Sequence, residues 1–172
     1  YFSEFIKNTL FIIHNTGEVA DTFERVKFVS DVIKSEYYII TYGDTITDVD
    51  CNQLVNNFNN ICSEKTIAMV SAVQPEKRFS TIEFDSQTMQ TEHFSEKEGK
   101  ENQWVGCGYI IISGQLISAH RSFKSLEKEV LPKIITDKQL FTNLHYGLWH
   151  PIDYVIDVKN AETMYQKQIL MG

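Results

Sequence analysis

YYIITYGDTITDVD, Tyr37 to Asp50, decides how the chain is read. Tyr37 to Tyr42 are β-formers, Gly43 breaks the run, and three carboxylates follow at Asp44, Asp48 and Asp50. A strand of this composition is expected to be buried, so Asp44 falls just past its carboxyl end. In open α/β sheets, ligands gather at that end of the strands. A Gly-Asp pair after a strand also makes an ordinary turn, and both readings stand on this stretch alone. Asp48 is the expected N-cap of a helix carrying Val49, Leu54, Val55 and Phe58.

The same alternation extends both ways from this stretch. Upstream, Phe2, Phe5 and Ile6 share one face of a helix expected over Tyr1–Asn8, and "LFIIHN" reads as a short strand. Phe23, Val26, Val29 and Ile33 have helical spacing. Downstream, "TIAMVSAV" and "WVGCGYIIIS" read as buried strands, and residues 78–94 as a hairpin around Asp85-Ser86-Gln87. Helices are expected near Gln115–Phe123, Ser125–Thr136 and Tyr154–Gln168, with a strand "LFTNLHYGLW" between the last two. Strands alternating with helices predict an α/β fold, with a mixed, mostly parallel sheet flanked by helices and a β-hairpin insertion. No linker or repeat interrupts residues 1–172, so a single domain is expected.

At 42% hydrophobic and 23% charged, the 172 residues have the balance of a globular chain with a real core. A formal net charge of −7 and the lack of a Lys/Arg cluster exclude a nucleic-acid partner at this stage. No apolar run approaches membrane-spanning length. Cys51, Cys62 and Cys107 fit no zinc or redox spacing and are expected as reduced thiols of a cytoplasmic protein. An acidic protein that takes an anionic ligand needs a divalent cation or a local basic pocket.

A second strand-end carboxylate follows the same logic. In "YGLWHPIDYV" an aromatic-rich strand ends, Pro151 fixes the turn, and Asp153 follows. Asp44 and Asp153 can share one Mg2+ only if their strands are neighbours. Magnesium takes hard oxygen ligands, one or two carboxylates completed by substrate phosphates and water. Lys97, in "FSEKEGKENQ", is either a solvated loop residue or a point-charge partner for a phosphate. Gly106 and Gly108 serve either a ligand's approach to the backbone or close strand packing. The five histidines form no site, and neither a catalytic triad nor a Gly-rich phosphate loop is present.

"TYGDTITDVD", "SAVQPEKRF", "FSEKEGKENQWVGCGYIII" and "YGLWHPIDYVIDVKN", in this order and spacing, resemble glucose-1-phosphate cytidylyltransferase, a sugar-phosphate nucleotidyltransferase. The resemblance runs from about Asn15 onward. It implies a Rossmann-like core of the nucleotide-diphospho-sugar transferase type, and transfer of CMP from CTP to glucose 1-phosphate, giving CDP-glucose and pyrophosphate. By position, Asp44 and Asp153 match the family's metal-binding aspartates, and Glu96 and Lys97 its sugar-phosphate-facing Glu-Lys pair. Tyr42, Gly43, Trp104 and Gly106 fall in its substrate-binding motifs. Arg25 stands where the family has the arginine of Thr-Gly-Gly-Arg, here Thr22-Phe23-Glu24-Arg25. The implied partners are a nucleoside triphosphate, a sugar 1-phosphate and other copies of the chain, with Mg2+ as cofactor.

Several departures bear on the substrate. Trp-Ile-Asn-Gly-Gly becomes Trp104-Val105-Gly106-Cys107-Gly108, which removes an amide able to pair with a sugar hydroxyl. Arg-Phe-Gly becomes Arg78-Phe79-Ser80. The family's Gly-Gly-x-Gly-Thr-Arg loop and Lys-Pro pair have no counterpart here, and the sequence starts at Tyr1. The expectation is a chain that lacks the nucleotide-binding front and is inactive by itself. The alternatives are a glycosyltransferase with a related core and a non-catalytic domain that binds sugar phosphates.

Overall fold

A computed structural model of the protein describes residues 2–6, 9–61, 67–75, 81–84, 88, 91–95 and 104–171. The chain divides into two compact units. One comprises Tyr1–Tyr38, Cys62–Ala68 and Ile112–Leu140, and the other Ile39–Ile61, Met69–Ile111 and Phe141–Gly172.

The first unit opens with β1 (Phe2–Ile6) and β2 (Thr9–Ile13), an antiparallel pair in the register Phe2↔Ile13 to Ile6↔Thr9. Where a helix is expected over Tyr1–Asn8, Phe2–Ile6 is a strand. An isolated helix of about eight residues does not hold in water. Helix α1 (Thr22–Val32) starts at Asp21, which forms a capping box with Glu24, an arrangement worth about 1 kcal/mol. Its buried positions are Phe23 and Ser30, while Val29 and Ile33 of the expected apolar stripe are exposed. Helix α3 (Gly114–Ala119) is capped by the Ser113 hydroxyl, which accepts from Leu116 N. A π-helical turn at Leu126–Val130 then leads into α4 (Leu131–Thr136). In a regular helix the Pro132 ring would meet the carbonyl of Lys128, and widening the turn ahead of it relieves that clash. Phe23, Leu116, Ile117, Leu126, Val130 and Ile134 form the buried apolar set, each at most 1% exposed.

The second unit holds most of a four-stranded sheet in the order β3 (Tyr37–Thr41), β8 (Val105–Ser113), β5 (Ala68–Val73), β9 (Leu140–His145). Hydrogen bonds at the strand ends fix the directions. Tyr42 N donates to Gly108 O and Gly114 N to Glu36 O, so β8 runs against β3. Ser113 N to Ile67 O sets β8 against β5, and Ala68 N to Gln139 O makes β5 and β9 parallel. Three strands thus run one way and β8 the other, the mixed sheet the sequence predicts. Central β5 and the second half of β8 are almost wholly buried, through Met69, Ala72, Val73, Ile110 and Ile111. Helix α2 (Cys51–Ile61) buries Leu54 and Phe58. Strands β6 (Thr81–Phe84) and β7 (Thr91–Ser95) form the expected hairpin, in the register Thr81↔Ser95 to Phe84↔Thr91.

Two details differ from the sequence reading. The α2 cap is Asp50, whose Oδ1 accepts from Asn52 N at 2.8 Å and Gln53 N at 3.3 Å; Asp48 is turned to another partner. The strand expected over Leu140–Trp149 is two strands. β9 stops at His145, and β10 (Trp149–Pro151) pairs antiparallel with a short β4 (Thr45–Thr47). Helix α5 (Val155–Met171) closes the chain.

Candidate active site

Strands β3 and β9 are not neighbours but the two ends of the described sheet order, so they cannot bring Asp44 and Asp153 together themselves. The extensions beyond their carboxyl ends do. β4 follows β3, β10 follows β9, and the two pair as Trp149↔Thr47, His150↔Ile46 and Pro151↔Thr45. The ladder ends with Ile152 N donating to Asp44 O at 2.7 Å. Asp153, the next residue, therefore lies on the segment hydrogen-bonded to Asp44. Both carboxylates are exposed.

Each aspartate is held through its backbone and leaves its carboxylate to solvent or ligand. Asp157, buried in the first turn of α5, accepts at Oδ2 from Asp153 N at 3.2 Å and Tyr154 N at 2.9 Å. His150, also buried, has its Nε2 3.1 Å from Asp157 O. Trp149 Nε1 donates to Cys107 O at 3.2 Å, tying the ribbon to β8. Burial pushes the Cys107 thiol up, as expected of a packing residue and not a nucleophile.

Two exposed carboxylates on hydrogen-bonded segments make a hard-oxygen donor set that fits Mg2+, with other positions left to phosphate and water. Among the described residues no group of three or more His, Cys, Asp or Glu is placed to hold a metal ion.

The other sequence-derived candidates fall in three places. Tyr42 and Gly108 share the bond that joins β3 to β8, and a Cβ on Gly108 would lie 3.4 Å from the Tyr42 ring. Gly108 also has φ of +83°, and it is this conformation that favours glycine there. Added Cβ atoms at Gly43 and Gly106 would meet nothing within 4 Å. Trp104 stands edge-on to Tyr146, ring centroids 5.5 Å apart. Arg25 belongs to the first unit, where its Nη1 donates to Thr16 Oγ1 at 2.9 Å and its Nε to Ala20 O at 3.1 Å. Glu96 and Lys97 lie outside the described residues.

Sequence reasoning missed Asp157 and the β4–β10 pairing. A three-residue strand is too short to leave a period-two pattern. The first-turn position of Asp157 in a helix was the available signal for a capping role.

The mixed sheet flanked by helices is of the nucleotide-diphospho-sugar transferase type, and the comparisons agree. Residues 4–150 match the nucleotidyl transferase family, and the chain belongs to that family. It is 26% identical over 155 residues to glucose-1-phosphate cytidylyltransferase of Salmonella typhi, covering 89% of this chain and 58% of that protein. The Salmonella typhimurium enzyme of the same name gives the same identity and coverage. Among solved structures it is similar to HddC from Yersinia pseudotuberculosis complexed with GMP-PN. The TM-score there is 0.58 at 21% identity, with 90% of this chain and 65% of that chain covered. The chain thus spans somewhat over half the length of these curated relatives. No described helix is long and apolar enough to cross a membrane.

Proposed function

We propose that the protein is a sugar-1-phosphate nucleotidyltransferase that transfers CMP from CTP to glucose 1-phosphate, forming CDP-glucose and pyrophosphate. The observation that supports this reading is the Ile152 N–Asp44 O bond at the end of the β4–β10 ladder, which joins the two segments that carry Asp44 and Asp153. The 26% identity to cytidylyltransferases supports CTP and glucose 1-phosphate as the first substrates to try.

In the proposed reaction a phosphate oxygen of the sugar 1-phosphate attacks the α-phosphorus of the nucleotide. The new P–O bond forms as the bond from the α-phosphorus to the bridging oxygen breaks, and pyrophosphate departs with the electron pair. Asp44 and Asp153 would hold Mg2+, which when bound supplies charge neutralisation at the α-phosphate. Lys97 would orient the attacking phosphate, and Tyr42, Gly43, Trp104, Gly106 and Glu96 would line the acceptor side. No protein nucleophile is required, since positioning and electrostatics carry most of phosphoryl-transfer catalysis.

The test is a product assay on the complete protein, with CTP, GTP and UTP each offered with glucose 1-phosphate and with mannose 1-phosphate. Pyrophosphate and CDP-glucose from the CTP–glucose 1-phosphate pair are expected. Release of nucleoside diphosphate from a nucleotide sugar, with no pyrophosphate from any pair, would instead make it a glycosyltransferase.

A further inference from the structure

The ribbon that brings Asp44 and Asp153 together has only three ladder pairs. Two-stranded ribbons are marginal by themselves in water, and short ones specify their register weakly. A slip of one residue would move Asp153 past Asp44 by about 3.4 Å, far more than the few tenths of an ångström a coordination shell tolerates. Something must lock the register.

The end of the ribbon remote from Asp44 is unusually tied. The carbonyl of Leu148 is approached by three donors: Thr47 Oγ1 at 2.8 Å, Asp48 N at 3.3 Å and His145 Nε2 at 3.2 Å. His145 Nε2 also stands 2.9 Å from Asp48 Oδ1. Facing two acceptors, that nitrogen carries a proton. Gly147 fits beneath this pair, because a Cβ there would collide with Asp48 Oδ1 and lie 2.7 Å from His145 Cε1. The Asp48 side chain is 54% exposed, so water competes for this contact and it adds little to global stability. Its consequence is local.

We infer that Asp48, His145 and Gly147 form a clasp that fixes the β4–β10 register and so sets the spacing of Asp44 and Asp153. They are positioning residues, and the inference rests on the reading of those two aspartates as magnesium ligands. Asp48, which the sequence offers as a helix cap, instead serves the neighbouring ribbon.

The clasp is tested by Mn2+ titration of the complete protein, followed by electron paramagnetic resonance, with Asp44→Asn defining the binding that depends on the carboxylate pair. Gly147→Ala, which changes no charge, should weaken that binding about tenfold or more, as loss of residues that orient metal ligands does. His145→Phe should do the same. His145→Gln, whose amide N–H can replace Nε2–H, should stay close to wild type. Melting curves identify any variant that fails to fold, and Asp48→Ala, at an exposed position, then takes its place with the same expected loss. Folded Gly147→Ala or Asp48→Ala protein with wild-type Mn2+ affinity would overturn the clasp. If Asp44→Asn itself leaves Mn2+ binding unchanged, the metal assignment falls and the clasp with it, so the silent variant tells the two failures apart.

Discussion

Glycine serves two different ends within three residues of β8. At Gly108, φ is +83°, so Gly108→Ala should cost about 1–2 kcal/mol in urea denaturation. At Gly106 nothing lies within reach of a Cβ. Gly106→Ala should leave stability within about 0.5 kcal/mol and raise KM for the sugar phosphate, if the open space is where the acceptor approaches. Equal destabilisation by both substitutions, with KM unchanged, would return Gly106 to strand packing. The sequence offered ligand approach and packing for both glycines, and for Gly108 the positive φ is the reason for glycine. Asp44 and Asp153 were legible as strand-end carboxylates. Their meeting was not, because it depends on pairing across about a hundred residues of chain.

At the scale of elements, long apolar segments such as β5 and β8 were legible because buried strands are rich in Val, Ile, Met and Ala. Short or locally satisfied elements were not. Asp48 and Asp50 are both plausible caps, and only the recruitment of Asp48 by His145 leaves α2 to Asp50. The π-helical turn at Leu126–Val130 carries its own prediction. Glu129 Oε2 accepts from Lys124 N at 2.6 Å and Ser125 N at 2.8 Å, and these backbone bonds, Ser125 first, hold its carboxyl below the usual glutamate range. The folded state therefore takes up this proton less readily than the unfolded chain. The stabilisation is fully present above an ordinary glutamate pKa of about 4.3 and is lost as pH falls through the lower folded value. Glu129→Gln should melt below wild type at pH 7, with the gap closing as the solution is acidified below about pH 4. A gap that stays constant with pH would show that charge is not what Glu129 contributes.

Across the whole molecule, the 172 residues match the nucleotidyl transferase family but contain no Gly-rich phosphate loop in their sequence. A net charge of −7 repels a triphosphate. Expressed by itself, this chain is expected to release no pyrophosphate from CTP and glucose 1-phosphate. Phe11 and Ile13 of β2 are 48% and 65% exposed, so the isolated chain should also self-associate in light scattering. A monomeric and active 172-residue protein would contradict this, and would require a triphosphate site built from other residues.

The central claim is that Asp44 and Asp153 serve one ion in one reaction, and a double-mutant cycle tests it directly. Asp44→Asn and Asp153→Asn each keep the side chain's shape and remove an anionic oxygen. Magnesium-dependent kcat/KM of the complete protein is measured for both single variants and for the double. Each single change should lower it by orders of magnitude with little change in melting temperature, and the double variant should be scarcely worse than either, since residues acting as a unit are grossly non-additive. Near-wild-type turnover in either single variant, or losses that simply multiply in the double, would contradict the shared site.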